Sequence, residues 1–352
     1  MTARMLSRGN VALALLVVLL VALPVLTTPF FINYVMTKTL MLGLAAASIV
    51  FLVKYGGMVS LAQFLLFGVA GFMYGNAVLE GGSRGLNLGW HPWLAVVFAV
   101  VVTTAVAFVL GALASRITGL YFLMLTLVYA VIGFYVFAQI VQLSGPGGLT
   151  SIHRPELMGP PVRIYYAALL LSLLAYLGFR ALGTTPFGLA LQGVRDDPVR
   201  MASLGFNVPL HRTLAFTLAG FVAGLGGVLN VWWNGQIDPA SIAIDPALIL
   251  LIMAVIGGIS FFEGAWLGAF VYVLVFTYLR DIPLIHAIGI TEARFKTVIG
   301  VVVLLIMVLS PEGLAGVLRR VRRRARRPGA AAPAVPAGDG RPPLTTTGVE
   351  PS

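Results

Sequence analysis

Long apolar runs alternate with short polar intervals over most of the chain. A helix needs about 20 apolar residues to cross a bilayer, and the pattern predicts ten such spans. They lie near residues 10–28, 38–53, 58–79, 91–114, 118–141, 164–183, 212–234, 246–260, 264–279 and 296–310. Several runs are shorter than a complete crossing, so the pairs around Gly56 and Phe262 are predicted to form tight hairpins or partly re-entrant segments. The predicted fold class is therefore all-α and polytopic, with nine or ten membrane helices.

One polar interval is much longer than the others and covers residues 184–213 (TTPFGLALQGVRDDPVRMASLGFNVPLHRT). Within it, Asp197 followed by Pro198 predicts a helix start, because aspartate accepts from first-turn amides and proline suits the first helical position. Gly205 is the matching stop signal, which leaves about two turns over residues 198–204. A solvated loop is the plainer alternative. A helix this short is marginal in water without packing, however, so we expect it to dock on something.

Composition supports a membrane protein. The 352 residues are 59% hydrophobic and 10% charged, with a mean hydropathy of +0.98, which exceeds what a soluble core requires. The net charge of +11 raises the question of nucleic acid, but eight of the 23 Lys and Arg follow Leu318, beside the last predicted span. We therefore expect these basic residues to interact with the lipid bilayer and not with nucleic acid. Cysteine is absent from the sequence, which removes disulfides, thiolate nucleophiles and Cys-ligated metals.

The basic residues also predict an orientation. If the N terminus is cytoplasmic and ten spans alternate, the inner side receives Arg4, Arg8, Lys54, Arg116, Arg180, Arg195, Arg200, Arg212 and the eight arginines from Arg319 onward. The outer side receives Lys38, Arg84, Arg154, Arg163, Arg280, Arg294 and Lys296. Because membrane proteins concentrate Lys and Arg on the cytoplasmic side, both termini and residues 184–213 are predicted to be cytoplasmic.

The chain divides into two parts at the end of the predicted spans. Residues 1–318 form the predicted transmembrane domain, which carries the cytoplasmic segment 184–213. Residues 319–352 are first basic and then rich in Pro, Ala and Gly, and the sequence predicts a disordered cytoplasmic tail there. The arginines of this tail are expected to lie against anionic lipid headgroups.

Candidate catalytic chemistry is sparse. Gly81, Ser83 and Gly85 have the spacing of a hydrolase nucleophile elbow, but no predicted strand precedes them. The four histidines are never at metal-ligand spacing, and no Gly-rich loop ends in Lys-Ser or Lys-Thr. We predict no enzyme activity, no metal and no cofactor, and any use of ATP would need a partner.

The predicted spans carry few ionisable groups but several neutral polar ones. A proton- or sodium-driven carrier is expected to bury ionisable side chains in its spans, and here only Glu80 and Glu263 lie near them. The neutral polar residues are candidates for a translocation path, and those singled out are Ser60, Gln63, Asn76, Thr126 and Tyr129. Mutual hydrogen bonding at helix contacts is the alternative role for each of them.

Two further patterns concern helix packing. Gly71 with Gly75, Gly220 with Gly224 and Gly264 with Gly268 have the four-residue spacing that lets helices approach closely. Residues 56–72 (GGMVSLAQFLLFGVAGF) are echoed by residues 257–273 (GGISFFEGAWLGAFVYV), which would fit a parallel repeat of spans one to four and seven to ten.

Five ordered stretches resemble the LivM-type permeases of branched-chain amino acid ABC transporters. They are residues 55–63 (YGGMVSLAQ), 119–129 (GLYFLMLTLVY), 144–152 (SGPGGLTSI), 187–207 (FGLALQGVRDDPVRMASLGFN) and 311–314 (PEGL). The resemblance implies a multi-pass subunit of the bacterial inner membrane that imports branched-chain or related hydrophobic amino acids. It also implies three kinds of partner, namely a second, homologous permease, two cytoplasmic ATP-binding subunits and a periplasmic substrate-binding protein.

The resemblance further implies that the short helix is the element that couples to the ATPase. The residues assigned to this role are Arg195, Asp196, Asp197, Pro198, Arg200, Met201, Leu204, Gly205 and Asn207. The charged residues Arg195, Asp196, Asp197 and Arg200 are expected to make charged contacts with the ATPase. Met201 and Leu204 are expected to form an apolar knob. The family usually has Gly and His where this chain has Ala62 and Gln63, and usually lacks a lysine at Lys54. These departures leave urea, short amides and aromatic acids open as substrates, and a stand-alone channel or secondary carrier remains the alternative from another class.

Overall fold

The computed structural model describes residues 15–80, 85–145, 147–279, 300 and 313–316. Within these residues the protein is helical, and the only β-type pairing is an isolated antiparallel bridge between Leu149 and Ile237. The principal helices are α1 (Leu15–Leu26), α2 (Phe31–Gly56), α3 (Ala62–Val78), α4 (Pro92–Ala114), α5 (Gly119–Gln139), α6 (Val141–Ser144), α7 (Pro161–Leu182), α8 (Pro186–Asp196), α9 (Pro198–Ser203), α10 (Val208–Asn234), α11 (Ile244–Gly257) and α12 (Phe262–Leu279).

Within the described residues, the helices lie close to the predicted spans. Nine of the ten predicted spans contain an apolar helix, and residues 296–310 lie outside the described residues apart from Gly300. Five of the described helices are long and apolar enough to cross a membrane alone, namely α2, α4, α5, α7 and α10. The pair α11 and α12 would make a sixth if counted as one broken span. The described residues thus form an all-α polytopic architecture, with five or six helical segments long and apolar enough to span a membrane.

The start of α2 differs from the prediction. The helix begins at Phe31 rather than near residue 38, so Lys38 lies within it and not in an outer loop. Its Nζ is 5.5 Å from the centroid of the Phe276 ring. The Thr37 hydroxyl donates to the carbonyl of Ile32 at 2.9 Å, so this polar side chain is satisfied inside the helix. Thr37 and Lys38 interrupt the apolar run, and a count of apolar residues therefore missed the first two turns of this helix.

Helix α3 is the centre of the bundle. All 17 of its residues are buried, and it packs mainly against α4 and α10. Small residues allow this close packing, because a Cβ placed on Gly220 of α10 would lie 2.8 Å from the Leu66 side chain of α3 and 2.5 Å from that of Ala107 in α4. A helix that is apolar on all sides belongs in the interior of a bundle. The predicted close approach at Gly220 and Gly224 is therefore confirmed.

Two hydrogen-bonded ends close the bundle. At one end, the Asn76 side chain accepts from the amide of Leu86, and the amide of Leu149 donates to the Ile237 carbonyl at 2.8 Å. At the other end lie the last turn of α2, the helices α8 and α9, and the start of α10. There Arg212, only 8% exposed, donates to the carbonyl of Ser115 at 3.4 Å. In the predicted orientation this second end faces the cytoplasm, and we call the two ends outer and inner.

Helices α11 and α12 form the bent pair that the sequence predicted around Phe262. Their axes differ by 118° across a break of four residues. The two helices cross where a Cβ on Gly257 would overlap the carbonyl of Gly264, so only glycine fits. The backbone of Gly313, near the end of the described chain, packs against Gly258 in the break. The predicted packing at Gly264 and Gly268 thus holds this pair together.

Candidate functional site: the inner projection and the buried polar cluster

The interval between α7 and α10 is a pair of helices rather than a loop with one short helix. Helix α8 begins where the Thr185 hydroxyl accepts from the amide of Gly188 at 3.2 Å, with Pro186 at its first position. Leu191 and Val194 are completely buried against the inner ends of α2 and α10. The sequence analysis missed α8. The Thr-Pro pair that starts it is the same signal as the Asp-Pro pair that correctly located α9.

Helix α9 has the predicted cap and stop. The Asp197 carboxylate accepts from the amide of Arg200 at 3.0 Å, and Pro198 occupies the first position. The helix ends at Ser203, Leu204 is its C-cap, and Gly205 follows with a φ of +88°. Asn207 then starts α10, since its side-chain oxygen accepts from the Leu210 amide at 3.1 Å. Three of the nine coupling candidates thus shape the turn by capping or by backbone conformation.

The apolar surface of α9 differs in detail from the expectation. Val199 and Leu204 are 78% and 64% exposed, so they form the apolar tip of the projection. Met201 instead faces α8, where a Cβ on Gly193 would lie 2.7 Å from its Sδ atom. Val199 was not among the predicted coupling residues. It could have been found from the helical spacing, because residues 199 and 201 point to different sides of a helix.

The charged residues of the segment also have different surroundings. Arg195 pairs with Asp196 at 2.8 Å, and Asp196 is 66% exposed. The other nitrogen of the Arg195 fork, Nη1, donates to the main-chain carbonyl of Lys54 at the end of α2. Arg200 is exposed on α9. The structure therefore leaves Asp196 and Arg200 on the surface, and turns Arg195 partly toward the bundle.

Three of the predicted path residues meet where α3 begins. The hydroxyl of Thr126 accepts from the amide of Leu61 at 3.2 Å, and the Ser60 hydroxyl accepts from the amide of Ala62 at the same distance. Gln63 is completely buried, and its Oε1 is 3.3 Å from the Ser48 hydroxyl. Thr126 lies two turns into α5, so this cluster is set about 10 Å inside the inner end of that helix. Irregular backbone at such depth is tolerated only where protein surrounds it or where it lines a water-filled cavity.

The other two path candidates lie apart from this cluster. Asn76 is near the outer end of α3, about 20 Å along the helix from Gln63. Its amide donates to the carbonyls of Phe72 and Leu143, at 2.8 and 2.6 Å, so it ties two chain segments together. Tyr129 is 9% exposed and lies one turn beyond Thr126 on α5. Among the five, Ser60, Gln63 and Thr126 form one site, and Asn76 belongs to the outer closure.

The outer end carries two open cavities on either side of the turn that follows α10. One has a volume of about 350 Å³ and is lined by polar groups of that turn, among them Asn230, Asp238 and Ser241. The other, of about 490 Å³, lies between Trp232, Trp233 and the loop containing Arg154 and Glu156. The sequence analysis did not identify either cavity, because each joins segments far apart in the chain.

A bundle of apolar helices with a capped helical projection at one end is the architecture of a polytopic membrane protein, and comparison with known proteins identifies the family. A family model described as "Branched-chain amino acid transport system / permease component" matches residues 31–308. The chain belongs to this permease family.

Individual relatives support the assignment. The high-affinity branched-chain amino acid transport system permease proteins LivM of Salmonella typhimurium and Escherichia coli are each 25% identical to the chain over 294 residues. Each match covers 74% of this chain and 66% of the relative, so the chain spans just under two thirds of their length. A probable LivM of Methanocaldococcus jannaschii is 25% identical over 295 residues, covering 77% of the chain and 84% of the relative. No solved structure matches the chain.

Proposed function

We propose that this chain is a permease subunit of an ATP-binding-cassette importer in a bacterial inner membrane. It would pair with a second, homologous permease, receive substrate from a periplasmic binding protein and take energy from two cytoplasmic ATP-binding subunits. Branched-chain or related hydrophobic amino acids are the proposed substrates, which is what the names of the LivM relatives suggest. Urea, short amides and aromatic acids remain the alternative substrates within the same family.

The exposed tip of α9 is the observation that carries this proposal. A two-turn helix gains little stability by itself, and yet this one is capped at both ends and presents two large apolar side chains to solvent. Such a helix is suited to insertion into a groove of another protein, where Val199 and Leu204 would lose their contact with water. The flanking Asp196 and Arg200 would form the polar rim of that contact.

The buried cluster of Ser60, Gln63 and Thr126 is proposed to line the translocation path. Ser48 has a single hydroxyl proton, and the Ala45 carbonyl, at 2.6 Å, is a nearer acceptor for it than the Gln63 side chain at 3.3 Å. Whichever way the Gln63 amide is turned, only one of its two ends can then bond to Ser48. A buried amide with one unpaired end is costly, and it gives a passing polar solute a place to bind. A neutral cluster suits a solute that carries no net charge.

Substitution at the tip of α9 tests the proposal. We expect Leu204→Asp and Val199→Asp to leave the membrane abundance unchanged but to release the ATP-binding subunits, because each would place an unpaired charge in an apolar interface. The measurements are copurification of the ATP-binding subunits and uptake by proteoliposomes that contain them, with ATP enclosed and the binding protein and substrate outside. Leu157→Asp is a matched control, since Leu157 is 61% exposed at the outer end.

Full ATPase association and full uptake in both aspartate variants would rule out α9 as the coupling element. Transport by the chain alone in liposomes would favour a stand-alone channel or carrier instead. Loss of uptake on ATP depletion, with resistance to ionophores, is the outcome expected of the importer.

A further inference from the structure

The inner end of α2 is built around an arginine from a distant part of the chain. The last turn of a helix leaves carbonyl groups without partners in that helix. At the end of α2 the amides of Gly57 and Met58 bond to the carbonyls of Val53 and Leu52, at 3.1 and 3.2 Å. The carbonyl of Lys54 is instead bound by Nη1 of Arg195, from α8. A cation at this position also suits the negative end of the helix dipole.

The arginine is held in place from two sides. Its Nε and Nη2 atoms each lie 2.8 Å from Oδ1 of Asp196, so the guanidinium fork has a fixed orientation. Its alkyl chain lies on Gly57, where a Cβ would come within 2.6 Å of Arg195 Cγ. Gly57 also has a φ of +65°, which favours glycine. We call this arrangement of Arg195, the Lys54 carbonyl and Gly57 the Arg195 brace.

On its other side, the end of α2 contacts the bent pair of α11 and α12. The Nζ atom of Lys54 is 4.2 Å from the centroid of the Phe262 ring, and the Tyr55 ring is 5.5 Å from the same ring. Phe262 is 3% exposed and is the first residue of α12 after the break. The inner end of α2 thus joins α8 to the place where the bent pair changes direction.

Helix α9 is in turn fixed to α8. Met201 packs on Gly193, and the amide of Asp197 bonds to the Gly193 carbonyl at 2.9 Å. A displacement of α9 would therefore move α8 with it. A continuous set of packed and hydrogen-bonded groups runs from α9 through α8 and the Arg195 brace to the bent pair.

We propose that Arg195 is a positioning residue for energy coupling, which carries movements of α9 to the end of α2 and on to the bend between α11 and α12. This inference rests on the proposed importer function. It gives Arg195 a different role from its neighbours, since its guanidinium acts within the permease and not on the ATP-binding subunit. The experiments below separate docking of the ATP-binding subunits from transmission of their movement through the permease.

The first test compares docking, ATP hydrolysis and uptake in the assembled transporter. We expect Arg195→Ala to retain the ATP-binding subunits and to hydrolyse ATP, while uptake per ATP falls about tenfold or more, as the loss of a charge-assisted hydrogen bond predicts. Arg195→Lys should recover part of the uptake, because its amine can still donate to the Lys54 carbonyl. Gly57→Ala should also uncouple, since it displaces the arginine without removing it. Arg116→Ala removes a charge from an exposed inner position and serves as the control.

The second test follows the bend itself. Because the sequence contains no cysteine, Ser260→Cys places a single thiol at an exposed position in the break. In the otherwise unchanged complex, its alkylation rate should differ between the nucleotide-free and the vanadate-trapped states. With Arg195→Ala added, that difference should disappear although vanadate still traps nucleotide. A residue with a purely structural role would lower stability without removing the response at the bend.

Two results would overturn the proposal. Unchanged uptake per ATP in Arg195→Ala would show that the brace transmits nothing, and loss of the ATP-binding subunits in that variant would show that Arg195 contacts them directly. Failure of the proposed importer function would look different from failure of this proposal. It would appear as uptake that does not need ATP in the unmodified protein, or as full ATPase association and uptake in Leu204→Asp.

Discussion

Two helix breaks in this protein have the same local design and different surroundings. Each begins with a pair of glycines, Gly56–Gly57 after α2 and Gly257–Gly258 after α11. In each pair the second glycine has a positive φ, +65° and +105° respectively. The next helix starts at residue 62 in one case and at residue 262 in the other. The sequence echo between residues 56–72 and 257–273 thus corresponds to a repeated way of ending one helix and starting another.

The difference lies in what surrounds the second residue of each new helix. Gln63 is completely buried beside Ser48, whereas Glu263 is exposed and accepts from the Tyr176 hydroxyl at 3.0 Å. A carboxylate is favourable at an exposed helix start because of the helix dipole, but in a buried site its desolvation costs far more than this gain. The same glycine-pair backbone conformation therefore occurs at both breaks, whereas the side chain at the second helical position depends on whether that position is buried or exposed.

Exchanging the two side chains should produce the largest effect. Gln63→Glu would bury a carboxyl group beside an apolar bundle, and we expect it to destabilise the protein by about 3–5 kcal/mol. The reverse change, Glu263→Gln, keeps a hydrogen-bond partner for Tyr176 at an exposed site and should cost less than about 1 kcal/mol. Thermal unfolding of the purified protein, followed by tryptophan fluorescence, measures both. Equal losses would show that the two breaks do not differ in the way their exposure indicates.

The first glycine of each pair offers a second, smaller contrast. A Cβ on Gly257 would overlap the backbone of Gly264, so Gly257→Ala must push α11 and α12 apart, at an expected cost of about 3 kcal/mol. A Cβ on Gly56 would meet only the flexible end of Met58, at 2.8 Å, and Gly56→Ala should cost about 0.5 kcal/mol. The same unfolding measurement applies. A larger loss from Gly56→Ala would reverse the order that the packing predicts.

The smallest expected contrast between paired variants concerns the contact between the two breaks. Lys54→Met removes the ammonium group from the Phe262 ring but keeps the alkyl chain, and should cost about 1 kcal/mol. Lys38→Met is the matched control, because its Nζ lies farther from an aromatic ring, at 5.5 Å from that of Phe276. Unfolding midpoints of the two variants provide the comparison. If Lys38→Met is the more damaging, the Lys54–Phe262 contact is not what joins the breaks.

Local signals in the sequence predicted much of this architecture. The cap at Asp197, the stop at Gly205 and most of the apolar spans depend on neighbouring residues, and each was predicted correctly. The first two turns of α2 and the whole of α8 were missed. In α2 the apolar run is interrupted by Thr37 and Lys38, and in α8 the apolar side chains cover only one face.

The contacts that define the candidate site depend on residues far apart in the chain. Arg195 meets the Lys54 carbonyl across 141 positions, and Leu61 meets Thr126 across 65. Periodicity and capping signals extend over one or two turns, so they carry no information about such pairs. The sequence therefore predicted roles for Arg195 and Gln63, but not which groups these side chains contact.

The central position of α3 has a consequence for the order of biosynthesis. Helix α10 forms much of its surroundings but begins at Val208, about 130 residues after α3 ends. At ordinary rates of translation the ribosome needs on the order of ten seconds to reach it. During that interval lipid is expected to occupy the place of α10 beside α3. The largely apolar surface of α3 is compatible with this contact. Of the two buried amide side chains of α3, Gln63 already has Ser48 of α2 beside it, whereas the partner of Asn76 at Leu143 is made later, with α6. The hydrogen bond at the outer end of α3 can therefore form first, and the contact of its glycine-containing face with α10 forms later.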